Sequence, residues 1–412
     1  MTTPNLTDAR GNAVAGFDLR RIQDVALWIL VASSWLLSIE PAPYDFLVPP
    51  VLVIFLPVGL AVPRTLLPFF ACLLLYNLGG LLSLVPFADD PRSVRFTSVS
   101  VFMAIAAILY AAVTAGDPHR RGKIVVDAYV VAGVLAAVFG LIGYFGVGGM
   151  AEALSKWDRA QGTFKDPNVF SVFLVPPLCF LIEGFLLGTH RRGLLAGLAF
   201  TTIFAGLFFG FSRGAWFNAA IAVSLLFGLT YLTARSAAIR WRTLATAAVA
   251  SVVAGAIVAG ALSYDSVREL FDARANLLNS YDVGETGRFG NQLNSIPLLL
   301  EMPNGMGPHQ FRTYFGQDPH NVFVNAFASY GWLGGFAFAA LNVLTLAAGF
   351  RVIFIEHPWR RQALAVFCPL AAIMVQGFQI DTDHWRHFYL LLGLLWGYYA
   401  AMLSWRAGGE PA

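Results

Sequence analysis

Residues 95–115 read RFTSVSVFMAIAAILYAAVTA and residues 124–146 read IVVDAYVVAGVLAAVFGLIGYFG, two apolar runs split by the short basic segment GDPHRRGK at 116–123. Each run is close to the ~20 residues an α-helix needs to cross a bilayer. Hydrocarbon offers the backbone no hydrogen-bond partner, so such runs cross as helices. The pattern recurs along the chain, with apolar runs at 22–39, 46–62, 66–86, 95–115, 124–146, 167–188, 193–211, 214–232, 243–262, 322–350, 361–380 and 385–405. Composition agrees: the 412 residues are 57% hydrophobic, 14% aromatic and 12% charged, and mean hydropathy is +0.65. A soluble domain carries about a quarter charged residues. The expectation is an all-α polytopic membrane protein of about 12 transmembrane helices, with residues 1–412 forming a single integral membrane domain. The run at 46–62 is short and rich in proline, and 322–350 is too long for one straight span. Gly331, Gly334 and Gly335 predict a short tilted helix there that breaks and then crosses.

Orientation follows from Lys and Arg. With the N-terminus inside, the cytoplasmic segments hold 16 of the 27 Lys and Arg, among them Arg20, Arg21, Arg120, Arg121, Lys123, Arg360 and Arg361, while about 16 of the 24 acids fall outside. Both termini are expected to be cytoplasmic. The first twenty residues are polar and end in Arg20 and Arg21, so the first span reads as a retained anchor and not as a cleaved signal. Cys72, Cys179 and Cys368 lie inside apolar runs and read as small buried hydrophobes. One outer segment, 263–321 between spans 9 and 10, is long and mixed in charge. Ser266 to Asn279 alternates apolar and charged residues at helical spacing, which makes this loop partly helical. A long ordered loop is where a site is expected.

Positive residues on the outer face depart from the orientation rule, so each asks for a reason. Lys165 sits in Thr-Phe-Lys-Asp-Pro-Asn before a span, Arg213 in Gly-Phe-Ser-Arg-Gly between two spans, and Arg288 in Glu-Thr-Gly-Arg-Phe in the long loop. Arg386 sits in Asp-Thr-Asp-His-Trp-Arg-His at the start of the last span, and His320 and Asn321 end the long loop. The topology brings these distant segments to one membrane surface. Cations beside apolar helices there suit an anionic lipid headgroup, and the planar fork of Arg suits phosphate. A pyrophosphate leaving group gathers charge as its bond breaks, which preplaced cations stabilise. No nucleotide is expected on that side, so a glycan donor would be lipid-linked.

Plainer readings stand beside these. An interfacial Arg or Lys ordinarily snorkels to headgroups, which applies to Lys165, Arg213 and Arg386. Arg288 could form a surface salt bridge with Glu285 or Asp282, and His320 could precede a helix as part of its cap. Asp381, Asp383, His384 and His387 could hold a metal, since His384 and His387 are three apart. The pattern is short and includes Arg386, so no metal and no cofactor is expected. Glu183 and Asp127 lie near cytoplasmic helix ends and read as snorkelling or locally paired. Asn77, Asn218, Asn342 and Gln376 lie in spans, where hydrogen bonds between helices are their ordinary use.

At the same residues the chain resembles the O-antigen ligase and polysaccharide polymerase superfamily. The resemblance rests on Gly-Thr-Phe-Lys-Asp-Pro-Asn at 162–168, Phe-Ser-Arg-Gly-Ala at 211–215, and Gly-Arg at 287–288. It continues through Pro-Asn-Gly-Met-Gly-Pro-His-Gln-Phe at 303–311, His-Asn at 320–321, and Tyr-Gly-Trp-Leu-Gly-Gly at 330–335, and covers 160–350. It implies a membrane glycosyltransferase (GT-C-like) fold in the bacterial inner membrane with a periplasmic active site. The implied reaction moves a glycan from undecaprenyl pyrophosphate to an acceptor hydroxyl without metal and with inversion. The acceptor is the lipid A–core in ligases and a lipid-linked repeat unit in polymerases. The resemblance assigns pyrophosphate binding to Arg213 and Arg288, the base to His320, and the donor pocket to Lys165, Asp166 and Asn168. Asn321, Asp383 and Arg386 join as further substrate contacts. Membrane lipids are expected partners and nucleic acid is not. A transporter or flippase of lipid-linked oligosaccharide is the reading from another class, and protein O-glycosylation is a third. Against transport, no pair of half-repeats is visible and few charges lie at mid-membrane.

Overall fold

The computed structural model describes residues 19–190, 192–275 and 287–408. In chain order the first helices are α1 (Leu19–Ala32), α2 (Pro43–Phe55), α3 (Leu67–Leu84), α4 (Pro91–Gly116), α5 (Arg120–Tyr144) and the short α6 (Ala151–Leu154). A two-stranded antiparallel hairpin follows, β1 (Ser155–Lys156) with β2 (Arg159–Ala160). Then come α7 (Pro167–Phe173), α8 (Val175–Leu187), α9 (Gly193–Phe209), α10 (Arg213–Leu232) and α11 (Ala237–Ala261). The long outer segment carries α12 (Asp265–Ala275), α13 (Arg288–Glu301) and α14 (Phe311–Phe315). The chain closes with α15 (Val322–Phe354), α16 (Arg360–Gln376) and α17 (Arg386–Arg406).

Each of the twelve apolar runs coincides with a helix, α7 and α8 together making one. Among the described residues, eight helical stretches are long and apolar enough to cross a membrane, and α2 and α9 are shorter apolar helices. The chain is therefore a multi-pass helical membrane protein. The run at 46–62 is only partly helical: α2 stops at Phe55 and the chain turns through Gly59. The helix expected over Ser266–Asn279 is seen as Asp265–Ala275, and residues 276–279 lie outside the described residues, as do Asp282 and Glu285. All three cysteines are buried, as their apolar settings predict.

Helices apolar all round occupy the centre. The α7–α8 stretch is 89% buried and α17 is 78% buried, while α11 at the rim is 6% buried. α17 packs along α4, and α16 lies among α8, α10, α15 and α17. α15 crosses α3 at glycines: a Cβ on Gly79 would stand 2.6 Å from the Gly334 nitrogen. Small residues let two backbones approach this closely in a membrane bundle.

The break expected in α15 falls at Gly331, which has φ 65° and ψ −167°. In an unbroken helix the Trp332 N–H would bond to the Ala328 carbonyl. Here each finds a partner in the long outer segment. Met306 N donates to the Ala328 oxygen at 2.7 Å, and Trp332 N donates to the Pro303 oxygen at 2.8 Å. A Cβ on Gly331 would stand 2.5 Å from that Pro303 oxygen, so the position needs glycine for space as well as for φ.

Candidate functional site

Three of the singled-out segments meet around the C-terminal end of α16. The Gly377 carbonyl accepts from Val322 N at 2.7 Å, which docks the start of α15. The Gln379 carbonyl accepts from Arg288 Nη1 at 3.0 Å, which docks the start of α13. Gly214, next to Arg213, lies so close to Gln376 that a Cβ would be 2.9 Å from its Nε2. The structure thus brings Arg213, Arg288 and His320 to one end of the bundle from three helix N-termini.

His320 has φ 47°, in the left-handed region that a side chain disfavours. Its neighbours hold it there. The two carboxyl oxygens of Asp381 accept from His320 N at 3.2 Å and from Asn321 N at 3.1 Å. Gln292 Nε2 donates to the Pro319 oxygen at 2.8 Å and to the His320 oxygen at 3.3 Å. Asn321 Oδ1 accepts from Phe323 N and Val324 N, at 3.0 and 3.2 Å, and so caps α15. Burial, and then the Arg288 guanidinium, hold the His320 imidazole below its ordinary range, against the opposing pull of Asp318 and Asp166. Burial, and then the charges of Asp383 and Asp318, push the Asp381 carboxyl up to about 8, although the two backbone N–H groups act the other way.

The other predicted residues sit around this centre. Asp166 caps α7 by accepting from Asn168 N at 2.6 Å. Asn168 Oδ1 accepts from Arg159 Nη2 at 2.8 Å, and Arg159 Nε donates to the Gly210 carbonyl at 2.7 Å. Arg159, 3% exposed, therefore ties the 166–168 segment to the turn that presents Arg213. In that turn Phe211 has φ 42°, and Ser212 Oγ caps α10 at Ala215 N. Sequence reasoning missed Arg159 as a member of the site, though its position among the outer cations was a usable signal.

Lys165, Asp383 and Arg386 lie on another flank, each with a partner in the protein. Lys165 Nζ pairs with Glu40 at 2.5 Å, and Arg95 pairs with the same carboxylate. Arg386 grips Asp45 with two hydrogen bonds, of 2.8 and 2.6 Å. Asp383, 1% exposed, accepts from Tyr76 OH at 3.1 Å and from Asn325 Nδ2 at 3.0 Å. These three line or border a cavity of about 940 Å3 whose polar wall also includes Arg92, Asp318, Asp381 and His384. His384 lies against the Phe96 carbonyl at 3.0 Å and Asp383 at 3.3 Å. Its burial favours the neutral ring, but the adjoining carboxylate and carbonyl outweigh that and raise its pKa. His387 instead packs against Trp385 and Phe173. The two imidazoles thus serve different neighbours, and among the described residues no three His, Cys, Asp or Glu stand together as a metal site.

Residues 198–339 match the family described as O-Antigen ligase, which supports the resemblance to the O-antigen ligase superfamily. It contains Arg213, Arg288, His320 and Asn321, but neither the 165–168 segment nor Asp383 and Arg386. No curated protein matches the chain.

Proposed function

We propose that the protein transfers a glycan from undecaprenyl pyrophosphate to an acceptor hydroxyl at the periplasmic face of the inner membrane, as an O-antigen ligase acting on the lipid A–core. The observation that carries this reading is the convergence of Arg213, Arg288 and His320 on the end of α16. The Arg288 guanidinium beside a partly buried imidazole, with Arg213 at the same end of α16, supports a phosphate site next to a base. His320 takes the proton from the acceptor hydroxyl, whose oxygen bonds to the anomeric carbon. The bond to the carrier breaks, and its electron pair leaves on the pyrophosphate, where Arg213 and Arg288 meet the charge. A base held below the ordinary imidazole range is neutral at pH 7 and ready to accept. The reaction is a single in-line displacement, which inverts the anomeric centre, and no metal takes part in it.

The lipid tail of the donor has a path beside Arg213. An apolar groove along α10 is lined by Phe217, Ile221, Leu225, Leu229 and Leu232. Counting back from Phe217 in steps of four reaches Arg213, so headgroup and tail sites share one helix face. Phe217 and Leu232 are 47% and 70% exposed, which leaves the groove open to lipid.

The test is a gel of surface and lipid-linked polysaccharide from a deletion strain, complemented with wild type, Arg288→Ala or His320→Ala. The ligase reading expects long polymer to build up on the carrier while the lipid A–core stays bare, in the deletion and in both point mutants. A surface limited to single repeat units would make the protein a polymerase. Normal pools in the deletion strain would end the glycan reading and bring transport or protein glycosylation forward.

A further inference from the structure

The cavity of about 940 Å3 stands apart from the two donor arginines: Arg213 and Arg288 are not among its lining residues. It is amphipathic. Phe46 and Pro49 of α2 face Val99 and Phe102 of α4 across an apolar slot, and Phe46 is 67% exposed. The other end is polar. Arg92 and Arg95, one helical turn apart on α4, stand at its edge, and Asp318, Asp381 and Asp383 line it further in. Arg92 makes no ion pair among the described residues. Oδ1 of the buried Asp383 has no hydrogen-bond partner there either.

We infer, on the basis of the transfer reaction proposed above, that this cavity is the acceptor site: a lateral opening between α2 and α4 that admits an anionic, saccharide-bearing amphiphile. Three observations carry it. First, an in-line displacement places the incoming oxygen and the leaving group on opposite sides of one carbon, with the base beside the incoming oxygen. The cavity comes up beside the segment that carries that base: Asp318 and Pro319 line it, and Asp381, also lining it, holds the His320 backbone. Second, Arg92 at the edge suits a phosphate, Arg95 beside it being paired with Glu40, and the inner carboxyl groups suit sugar hydroxyls, which can donate to an oxygen such as Asp383 Oδ1. Third, the apolar slot lets the acyl or prenyl part of the acceptor stay in the bilayer while its headgroup enters. Donor and acceptor thus approach from the α10 side and from the α2–α4 side.

The experiment uses the full-length protein in vesicles, with initial rates measured while donor and acceptor are varied separately. One arm supplies phosphorylated lipid A–core as acceptor, the other a polyprenyl-pyrophosphate repeat unit. Arg92→Glu, and separately Val99→Trp, are expected to raise the acceptor KM by about tenfold and to leave the donor KM unchanged. The arm in which this happens names the source of the acceptor. A raised donor KM, or unchanged KM values in both arms, overturns the inference. A photo-crosslinking residue at 99 or at 217 gives a readout that does not need turnover. Position 99 is expected to capture labelled acceptor and position 217 labelled donor. The reverse pattern, or no capture of acceptor at 99, also overturns it. Absence of transfer by wild type in both arms counts against the transferase reading, and capture at 99 then decides the cavity on its own.

Discussion

Replacing Asp381 by Ala is expected to disable the protein without unfolding it, because of what that carboxyl group does to its neighbour. It accepts the backbone N–H groups of His320 and Asn321 while His320 sits at φ 47°. Two hydrogen bonds of this kind contribute about 1–3 kcal/mol together. A side-chain-bearing residue in the left-handed region costs a similar amount, about 1–3 kcal/mol. The two nearly offset each other, so removing the acceptors frees the 319–321 segment to relax. The fraction of molecules with the imidazole in place then falls by about 5- to 150-fold. The loss is expected in kcat, with donor KM little changed, in a vesicle assay of glycan transfer. Asp381→Asn makes the argument sharper. The carboxyl group is pushed up to about 8, so at pH 7 it is largely uncharged, and an amide matches it in charge and shape but offers one accepting oxygen in place of two. Asn keeps one of the two accepting oxygens and sets an N–H group against the other backbone donor, so it is expected to keep only part of the activity that Ala loses. Wild-type kcat in a correctly folded Asp381→Ala protein would refute the clamp. Equal damage from Asn and Ala would show that one accepting oxygen is not enough to hold the segment.

Three further outcomes follow from the geometry. Arg288→Gln removes a positive neighbour of His320, so the imidazole protonates at higher pH and the acid-side fall in kcat/KM moves up the pH scale; an unmoved limb in the pH profile would mean that another group is the base. An acid whose folded pKa is raised from 3.8 to about 8 contributes stability that is full below 3.8 and lost as pH rises through 8, so Asp381→Asn is expected to flatten the decline in thermal stability across that window, as read by melting in detergent. Asp45→Ala leaves the half-buried Arg386 guanidinium without its two charge-assisted hydrogen bonds and is expected to cost about 2 kcal/mol, with a melting curve unchanged from wild type as the contrary result.

Much of this architecture is legible in the sequence because lipid imposes a simple rule on the backbone. Each apolar run had to be a helix, and the bias in Lys and Arg set which helix ends lie together. The same bias made Arg213 and Arg288 conspicuous, since a cation on the outer face needs a partner or a purpose. The glycines at 331, 334 and 335 announced the break in α15 because the run has no proline and its other glycine, Gly349, stands at its far end. The Asp381 clamp reaches His320 across 61 positions, and the Arg386–Asp45 pair spans 341. No local pattern encodes contacts of that range. The left-handed backbone at Phe211 and His320 is equally silent, because neither residue type predicts it. For that reason Arg386 read as an open cation, whereas its fork is already engaged by a carboxylate from α2.

The junction between the Pro303–Met306 segment and the break in α15 has a practical consequence for anyone cutting or rebuilding this chain. The outer segment is threaded into the membrane bundle as a splice, and each side completes the other's backbone. An excised fragment of the outer segment would lose the template that orders it, and in a bundle lacking it the Ala328 carbonyl and the Trp332 N–H would lose these partners, at about 1–3 kcal/mol for each while the break at Gly331 persists. Tags, cleavage sites or grafted sequences belong elsewhere, for instance beside the exposed Gly316, where the surrounding space is open, with that glycine kept because its φ of 75° disfavours a side chain. A soluble version of the loop is the wrong object to engineer, because its fold is completed by a transmembrane helix.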